Sequence, residues 1–453
     1  MSSLPSPLAR GLKRYRDHRV ATAPRRQKRV AALQIGLQWI LLGGLIFFLG
    51  LLIYTSSARM LSNPIESTVS VADPLFRDFA GPLLGADFLK GNTVEPLING
   101  REIFPAMIAA IGTAQKSITL ESYIWASGEV SDRFAAALTE RAQHGVKVHA
   151  LVDGAGDFKL KLSDIDRMKA AGVEFVVYGR EHFYNLKLNL NHRSHRKLLI
   201  VDGKVGFTGG ACIDDTWLGD ADRPGIWRET QARITGPAVR QMQAVFATNW
   251  LQTTSHLLTG PNYFPEASSS GQAYAHCFMS GPNERPENAR LSYLLAIASA
   301  RKSIQLSHAY FIPDDLAIEM LLAARERGVR IEVIVPFKND SRFGRAAARS
   351  RWGKLLEAGV EFHAYLPSLY HCKVMIVDDI FVTMGSVNFD NRSFSINDEV
   401  NINVIDPATA RAFQKSFADD LAKSQPLSLA EFRGRPFYVK WADHFCGMFR
   451  ALF

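Results

Sequence analysis

The sequence predicts an α/β protein with two homologous α/β/α sandwich halves, related by pseudo-twofold symmetry and preceded by one transmembrane helix. Three observations predict this fold. A run near the N-terminus carries no charge, strand and helix patterns occur twice in the same order, and one polar motif recurs in each copy. A chain of 453 residues is long enough for two or three domains of ordinary size.

The run "LQIGLQWILLGGLIFFLGLLIY" at 33–54 is the predicted membrane anchor. At about 1.5 Å per residue it can cross a hydrocarbon core of about 30 Å. A cleaved signal peptide is the alternative, but its apolar core usually has only about 7–15 residues. The tail 1–30 carries nine lysines and arginines against one aspartate. The positive-inside rule therefore predicts a cytoplasmic N-terminus and a body on the periplasmic side of a bacterial inner membrane.

Charge and cysteine content limit the classes of function. The formal net charge is +9, and the tail accounts for nearly all of it. A nearly neutral body argues against a protein that coats nucleic acid along an extended basic face. The four cysteines are too scattered for a disulfide framework or a CxxC zinc site.

The body is a duplication in which strands alternate with helices, and this alternation predicts α/β layers in each copy. The matching segments are 116–125 with 302–311, 141–152 with 325–335, and 170–178 with 357–365. The predicted divisions are a basic cytoplasmic tail 1–30, a transmembrane helix 31–55, a connector 56–90, a first half 91–258, a linker 259–274, a second half 275–430 and a C-terminal amphipathic helix 431–453.

Each copy contains the motif His-x-Lys-x4-Asp, in "SHRKLLIVDG" at 194–203 and "YHCKVMIVDD" at 370–379. In a strand, residues two apart face the same side, so each histidine projects with its lysine. The Asp-Gly pair at 202–203 predicts a tight turn and a hairpin. The small residues at 209–210 and 385–386 let the backbone approach a ligand closely. One match would be weak evidence, whereas two in register within a duplication indicate a functional site.

Two imidazoles and two ammonium groups suit a phosphodiester. The lysines offset the charge on the non-bridging oxygens as it builds in the transition state. One histidine can attack phosphorus, while the other protonates the leaving alkoxide and then deprotonates the acceptor. The sequence has no compact carboxylate or His/Cys cluster of the kind a catalytic metal needs. It therefore predicts neither a metal nor a cofactor.

These motifs resemble the phospholipase D superfamily, and within it the bacterial cardiolipin synthase group, over about residues 90–453. The second copy is the fuller match, with "GSVNFDNRS" and "NDEVN" after its motif, whereas the first has "GGACIDD" and "WRETQARITGPAV". The latter run and "AYFIPD" at 309–314 are similar to the cardiolipin synthase branch in particular.

The resemblance implies roles for the motif residues. The implied catalytic set is His195, Lys197, His371, Lys373, Glu229, Glu399, Asp202 and Asp378, and the implied phosphate-binding set is Asn388, Ser386 and Gly210. His195 is expected to be the nucleophile and His371 the acid/base. Each glutamate is expected to orient an imidazole, and the aspartates to stabilise the interface between the halves. Cys212 stands where the family usually has Asn, and a thiol is a poor donor to phosphate.

The C-terminus carries an apolar stripe at helical spacing. Its members are Tyr438, Trp441, Phe445, Met448, Phe449 and Leu452. Two interpretations stay open: an interfacial helix that brings the site to a bilayer, or a helix packed on the core of the second half.

The leading hypothesis is a membrane-bound, cardiolipin synthase-like phosphatidyltransferase. It would transfer a phosphatidyl group from one phospholipid to phosphatidylglycerol, with no obligate protein partner. A phospholipase D hydrolase that releases phosphatidic acid is a close alternative, because the acceptor pocket is not visible from spacing. A nucleic-acid phosphodiesterase fits a neutral body less well. A non-catalytic scaffold fits poorly with two intact His/Lys pairs.

Overall fold

The computed structural model describes residues 25–55, 61–156, 160–179, 192–283 and 285–450, and the chain forms two compact units, 1–57 and 58–453. In the first unit, helix α1 spans Arg25–Thr55. Its segment Leu33–Leu51 is the one helix, within the described ranges, that is long and apolar enough to cross a membrane. The basic tail up to residue 24 lies outside the described residues.

The first half of the second unit alternates strands and helices. Its elements are α2 Pro74–Leu84, β1 Leu89–Ile98, α3 Asn99–Gly112, β2 Ser117–Ser122, α4 Glu129–Gln143, β3 Lys147–Asp153, α5 Leu162–Ala170, β4 Glu174–Tyr178, β5 Leu198–Val201, β6 Val205–Gly209, β7 Thr230–Thr235 and α6 Val239–Thr254. A short 3-10 turn at Asp215–Trp217 lies between β6 and β7.

The second half repeats this order. Its elements are β8 Ala273–Ser280, α7 Asn288–Ser299, β9 Ser303–His308, α8 Asp315–Glu326, β10 Arg330–Pro336, α9 Arg342–Glu357, β11 Glu361–Tyr365, β12 Lys373–Val377, β13 Phe381–Gly385, α10 Asn391–Ser395, β14 Glu399–Ile405, α11 Pro407–Leu421, β15 Ser424–Leu427, α12 Leu429–Gly434 and α13 Phe437–Gly447.

Strand order shows the duplication directly. The order is β15-β11-β10-β9-β12-β13-β14-β8-β1-β7-β6-β5-β2-β3-β4. Outward from the central pair, β1-β7-β6-β5-β2-β3-β4 matches β8-β14-β13-β12-β9-β10-β11, and β15 is an extra edge strand. In both halves the three outer matching strands are parallel and the hairpin strands antiparallel. The predicted two-half α/β fold is confirmed.

Three apolar cores hold the layers together. One lies under α3, α4 and α5 in the first half, and another under α7, α8 and α9 in the second. The third is shared by both halves, because it joins strand residues such as Ile200 and Ile376 to Trp250 of α6 and Phe413 of α11. The shared core fixes the two hairpins relative to each other, and it therefore fixes the residues that precede them.

Two of the predicted divisions, the connector and the C-terminal helix, contain structure that the sequence did not indicate. The connector 56–90 contains helix α2, which packs on the second half, where the rings of Phe76 and Phe381 are 5.6 Å apart. The predicted C-terminal helix 431–453 is two helices, α12 and α13, because Pro436 interrupts the backbone hydrogen bonding between them. Leu452 lies outside the described residues.

Candidate active site

Each motif histidine sits just before its hairpin strand and is fixed by backbone of the other half. The amide of His195 donates to the carbonyl of Asp398 at 2.9 Å, and the amide of His371 donates to the carbonyl of Arg228 at 2.8 Å. These isolated bridges cross between the halves. They bring the next residue of each opposite half, a glutamate, beside the imidazole.

The glutamates are paired crosswise with the histidines. Nδ1 of His195 lies 2.9 and 3.0 Å from the two carboxylate oxygens of Glu399, and Nδ1 of His371 lies 2.5 Å from Oε2 of Glu229. In each pair the histidine and the glutamate come from different halves. An Nδ1–H that donates to a carboxylate leaves the lone pair on Nε2, which is the tautomer a nucleophile or base requires.

Burial and charge favour neutral imidazoles beside ionised carboxylates. Burial lowers the pKa of His195 and of His371 to about 4, although the glutamates oppose this shift. Burial raises the pKa of Glu229, but the Lys373 ammonium and the His371 imidazole outweigh it and leave that pKa below its usual value. Burial acts likewise on Glu399, where the His195 imidazole is the main opposing group and the net pKa is lowered.

The lysines lie beside their histidines. Nζ of Lys197 donates to the backbone carbonyl of His195 at 2.6 Å, and Nζ of Lys373 donates to that of His371 at 2.5 Å. Nζ of Lys373 also lies 3.2 Å from Nε2 of the His371 ring. Burial lowers the pKa of both lysines, while carboxylates of both halves oppose it. The ammonium groups therefore share one site that spans the two halves.

Ser386 and Gly210, which the sequence predicts to bind phosphate, lie against the two glutamates. The Ser386 hydroxyl donates to Oε2 of Glu399 at 2.5 Å and accepts from the amide of Val400 at 3.0 Å. At the equivalent position in the first half, a Cβ on Gly210 would lie 2.3 Å from Oε2 of Glu229. Glycine is needed there because the carboxylate occupies the space of a side chain.

Asn388 and Cys212 occupy equivalent positions, three residues past each β-hairpin. Oδ1 of Asn388 is buried and has no hydrogen-bond partner within the described part of the chain. A buried polar atom of this kind suits a polar ligand. Burial raises the pKa of the Cys212 thiol, and the nearby Lys197 ammonium opposes this only in part. A neutral thiol therefore stands where the second half has an amide.

Asp202 and Asp378 stabilise their own halves, which corrects the expected role at the interface. Both occupy the hairpin turn with φ of 52°. The Asp202 carboxylate accepts from the backbone amides of residues 115–117 at 2.7–2.9 Å, and that of Asp378 accepts from residues 301–303 at 2.7–3.0 Å. Each aspartate lies five positions along the chain from the motif lysine, which is roughly 16 Å in an extended strand. Neither is placed to react.

Aromatic side chains that the sequence reading missed form walls around the histidines. The Tyr123 ring meets the His195 ring edge-on at 5.1 Å, and Nζ of Lys197 lies 5.2 Å from its centroid. Trp217 and Trp227 lie 5.5 and 5.1 Å from the His371 ring. Only their positions in the sequence could have indicated this role. Trp227 lies two residues before Glu229, and Tyr123 directly follows strand β2.

A buried ionic network lies behind each histidine and joins the halves. Arg228, next to Glu229, pairs with Asp420 of α11 through two hydrogen bonds of 2.7 and 2.8 Å. Asp398, next to Glu399, accepts from the Tyr178 hydroxyl at 2.7 Å and contacts His192 at 2.8 Å. Arg228 and Asp398 thus occupy equivalent positions with opposite charges. Each is bound by polar or charged side chains of the other half.

One group of described side chains has the geometry of a metal site, and it lies elsewhere. Glu332, Glu361 and His363 are on β10 and β11, close enough to share an ion. Arg330 already pairs with both carboxylates, at 2.9 and 3.0 Å. The group contains none of the motif residues.

Comparison with known proteins agrees with the fold and the motifs. The family model "Cardiolipin synthase, PLD-like domain" matches residues 107–250 and 293–421. The chain is 34% identical over 346 residues to a cardiolipin synthase of Geobacillus thermodenitrificans, covering 76% of this chain and 69% of that one. It is 32% identical over 357 residues to the major cardiolipin synthase ClsA of Bacillus subtilis, covering 78% and 74%. The chain therefore belongs to the cardiolipin synthase family with phospholipase D-like domains, and the expected phospholipase D-type enzyme is confirmed.

A solved structure shares the fold. The crystal structure of a phosphatidylserine synthase from Haemophilus influenzae Rd KW20 superposes with a TM-score of 0.65, covering 83% of this chain and 99% of that one. At 14% sequence identity this likeness shows the fold alone.

Proposed function

We propose that this protein is a membrane-bound phosphatidyltransferase that forms cardiolipin through a covalent phosphohistidine intermediate. The crossed pairing carries the proposal, because each imidazole is held through Nδ1 by a carboxylate of the other half, beside a lysine of its own half. The cardiolipin synthase relatives support phospholipids as substrates. The donor is one phospholipid, and the acceptor is phosphatidylglycerol.

The two histidines differ in a way that supports His195 as the nucleophile. The Lys373 ammonium lies beside the His371 ring, 3.0 Å from Nδ1 and 3.2 Å from Nε2. Nε2 of His195 has no hydrogen-bond partner within the described residues, and although both lysines donate to the backbone carbonyl of their histidine, only Lys373 also lies within hydrogen-bond distance of its imidazole ring. A lone pair that is not engaged by an ammonium group is the better nucleophile.

The proposed reaction has two displacements. Nε2 of His195 attacks phosphorus, an N–P bond forms, and the P–O bond to the leaving alcohol breaks as His371 gives that oxygen a proton. His371 then takes the proton of the phosphatidylglycerol hydroxyl, whose oxygen attacks phosphorus and releases His195. The bound phosphodiester is anionic and raises the pKa of His371, so substrate binding favours the protonated acid.

Product analysis tests transfer against hydrolysis. Lipid mass spectrometry of cells expressing the protein, compared with a His195→Ala variant, is expected to show cardiolipin rising only with the intact protein. Phosphatidic acid rising in its place would favour the hydrolase. Cleavage of DNA or RNA in vitro, with no change in lipids, would contradict both.

The proposed location is a bacterial inner membrane, crossed once by α1, with the N-terminus in the cytoplasm and the catalytic body outside. The length and composition of Leu33–Leu51 and the basic tail support it. All four native cysteines are buried, so orientation requires an introduced one. A Leu162→Cys variant, on the exposed face of α5, should react with a membrane-impermeant thiol reagent in intact spheroplasts. Reaction only after lysis would reverse the orientation.

A further inference from the structure

The apolar stripe at the C-terminus lies on the outward face of helix α13, not on the face that packs against the protein. Phe437 is 84% exposed, Tyr438 62%, Trp441 67% and Met448 59%. The rings of Trp441 and Phe445 stack at 5.5 Å with an interplanar angle of 9°. These side chains form a contiguous apolar stripe on the surface of the protein rather than a contact with its core.

The opposite face of α13 holds the helix on α9 through polar and small residues. Asp443 is buried and accepts from Arg349 at 2.7 Å and from Arg435 at 2.5 Å. A Cβ on Gly447 would lie 2.5 Å from the hydroxyl of Ser350. The helix is therefore docked closely with its aromatic side outward, the reverse of the usual arrangement in a soluble protein.

The segment 337–343 extends this surface with aromatic and basic residues. Phe343 is 41% exposed and its ring lies 6.2 Å from that of Phe449. Lys338, Arg342 and Lys440 are exposed, and none of the ion pairs in the described part of the chain uses them. These three cations outnumber the one exposed carboxylate of the segment, Asp340, so the border of the apolar stripe is net positive.

This surface lies close to the active site. Strand β9 pairs with β12 so that His308 is opposite the motif Lys373, and the amide of Ala309 donates to the carbonyl of Cys372 at 3.0 Å. The next residue, Tyr310, donates its hydroxyl to Asp340 at 2.6 Å. Asp340 belongs to the segment 337–343, so the aromatic and basic surface begins beside the catalytic pocket.

We propose that α13 and the segment 337–343 form a docking surface for an anionic lipid bilayer, which places the active site at the headgroups. The inference rests on the proposed function for its lipid substrate. Aromatic side chains favour the interfacial zone of a bilayer, and lysine and arginine favour anionic headgroups. A second copy of the chain is the competing occupant. In a twofold symmetric dimer, the lysines and arginines that border the stripe of each copy would lie in the same interface, and their repulsion would oppose association.

Fluorescent labelling tests the docking directly. The full-length protein carrying Trp441→Cys, labelled with an environment-sensitive fluorophore, is placed in nanodiscs of phosphatidylglycerol and phosphatidylcholine. Because the native cysteines are buried, only the introduced one should react. Leu162→Cys is the control, since Leu162 is 73% exposed and lies on α5. Lipids with a spin label in the acyl chain should quench the label at 441 at least about twofold more than the control. Aqueous iodide should quench it less.

Two results would overturn the proposal. Equal iodide quenching at 441 and 162 would place the helix in water. Protection from iodide without quenching by spin-labelled lipids would place a protein partner, such as a second copy, on the stripe. Neither measurement depends on enzymatic activity.

A kinetic test separates docking from catalysis. The variant Tyr438→Ser/Trp441→Ser/Phe445→Ser is expected to lose about tenfold in rate on bilayer phosphatidylglycerol and to keep its rate on a monomeric short-chain phosphatidylglycerol. Leu162→Ser is the matched control. Equal loss on both substrates would contradict docking. If the unaltered protein acts on neither, the proposed function fails, while the labelling experiment still decides the docking.

Discussion

The crossed pairing predicts that the two glutamates have separable kinetic roles. Glu399→Gln changes the partner of His195, and Glu229→Gln changes that of His371. Both Glu399 oxygens lie about equally far from Nδ1 of His195, at 2.9 and 3.0 Å, so a glutamine NH2 group stands beside Nδ1 whichever way the amide turns. The Nδ1–H then has a neutral carbonyl oxygen in place of a charged acceptor and also faces an N–H donor, which favours moving the proton to Nε2, the attacking atom.

The expected loss follows from these contacts. A charge-assisted hydrogen bond contributes roughly 1.5–3 kcal/mol, which alone is a factor of about 10–150 in rate. The wrong tautomer blocks attack as well, so we expect Glu399→Gln to slow formation of the intermediate about 10³-fold.

The assay uses a phosphatidyl ester of p-nitrophenol, whose leaving group needs no general acid. With Glu229→Gln, we expect a burst of nitrophenol equal to the enzyme concentration, followed by slow turnover, because His371 is needed only to activate the acceptor. With Glu399→Gln we expect no burst. A burst retained by Glu399→Gln and lost in Glu229→Gln would refute the assignment. Equal effects on both phases would refute the separation of roles.

Three further predictions concern stability, measured by denaturation in detergent. Asp202→Ala and Asp378→Ala should each lower the free energy of unfolding by roughly 2–3 kcal/mol, because three backbone amides lose their acceptor. The kcat of the folded protein should be kept, and a loss of kcat at unchanged stability would indicate a chemical role. Burial lowers the pKa of His276 to about 3. Between about pH 6.5 and 3, therefore, this histidine is protonated in the unfolded state and neutral in the folded state. The free energy of unfolding falls as pH drops through this window, by about 2 kcal/mol at pH 5. His276→Phe should flatten the decline in melting temperature from pH 7 to 5, and an unchanged slope would argue against it. Asp420→Ala should lower the free energy of unfolding by roughly 3–5 kcal/mol, because it leaves Arg228 buried without its carboxylate. Adding Arg228→Met should recover part of this loss. If the losses of the two substitutions add, the pairing is contradicted.

The repeat made most of the fold predictable from the sequence. Segments such as 146–154 and 357–365 became β3 and β11 within a few residues, because alternation and turn residues encode local structure. Spacing alone placed each motif lysine beside its histidine, since side chains two residues apart share a face.

The crossed pairing was not available from the sequence, because it depends on how the shared core sets one hairpin against the other. The pattern offered Glu229 and Glu399 without saying which histidine each would hold. The sequence suggested that Ser386 contacts the ligand, whereas in the structure its hydroxyl donates to the Glu399 carboxylate. The direction of the α13 stripe was equally hidden, since a helical pattern is the same whichever face is packed. The buried Asp443, held by two arginines, decides it.

Trapping the covalent intermediate tests the central claim most directly. Glu229→Gln protein is mixed with the phosphatidyl ester of p-nitrophenol, whose departure needs no acid from His371, then quenched rapidly and digested for peptide mass spectrometry. We predict one phosphatidyl group on His195, which accumulates in this variant and is absent when His195→Gln is added. An adduct on His371, or turnover of phosphatidylglycerol by the His195→Gln protein, would contradict it.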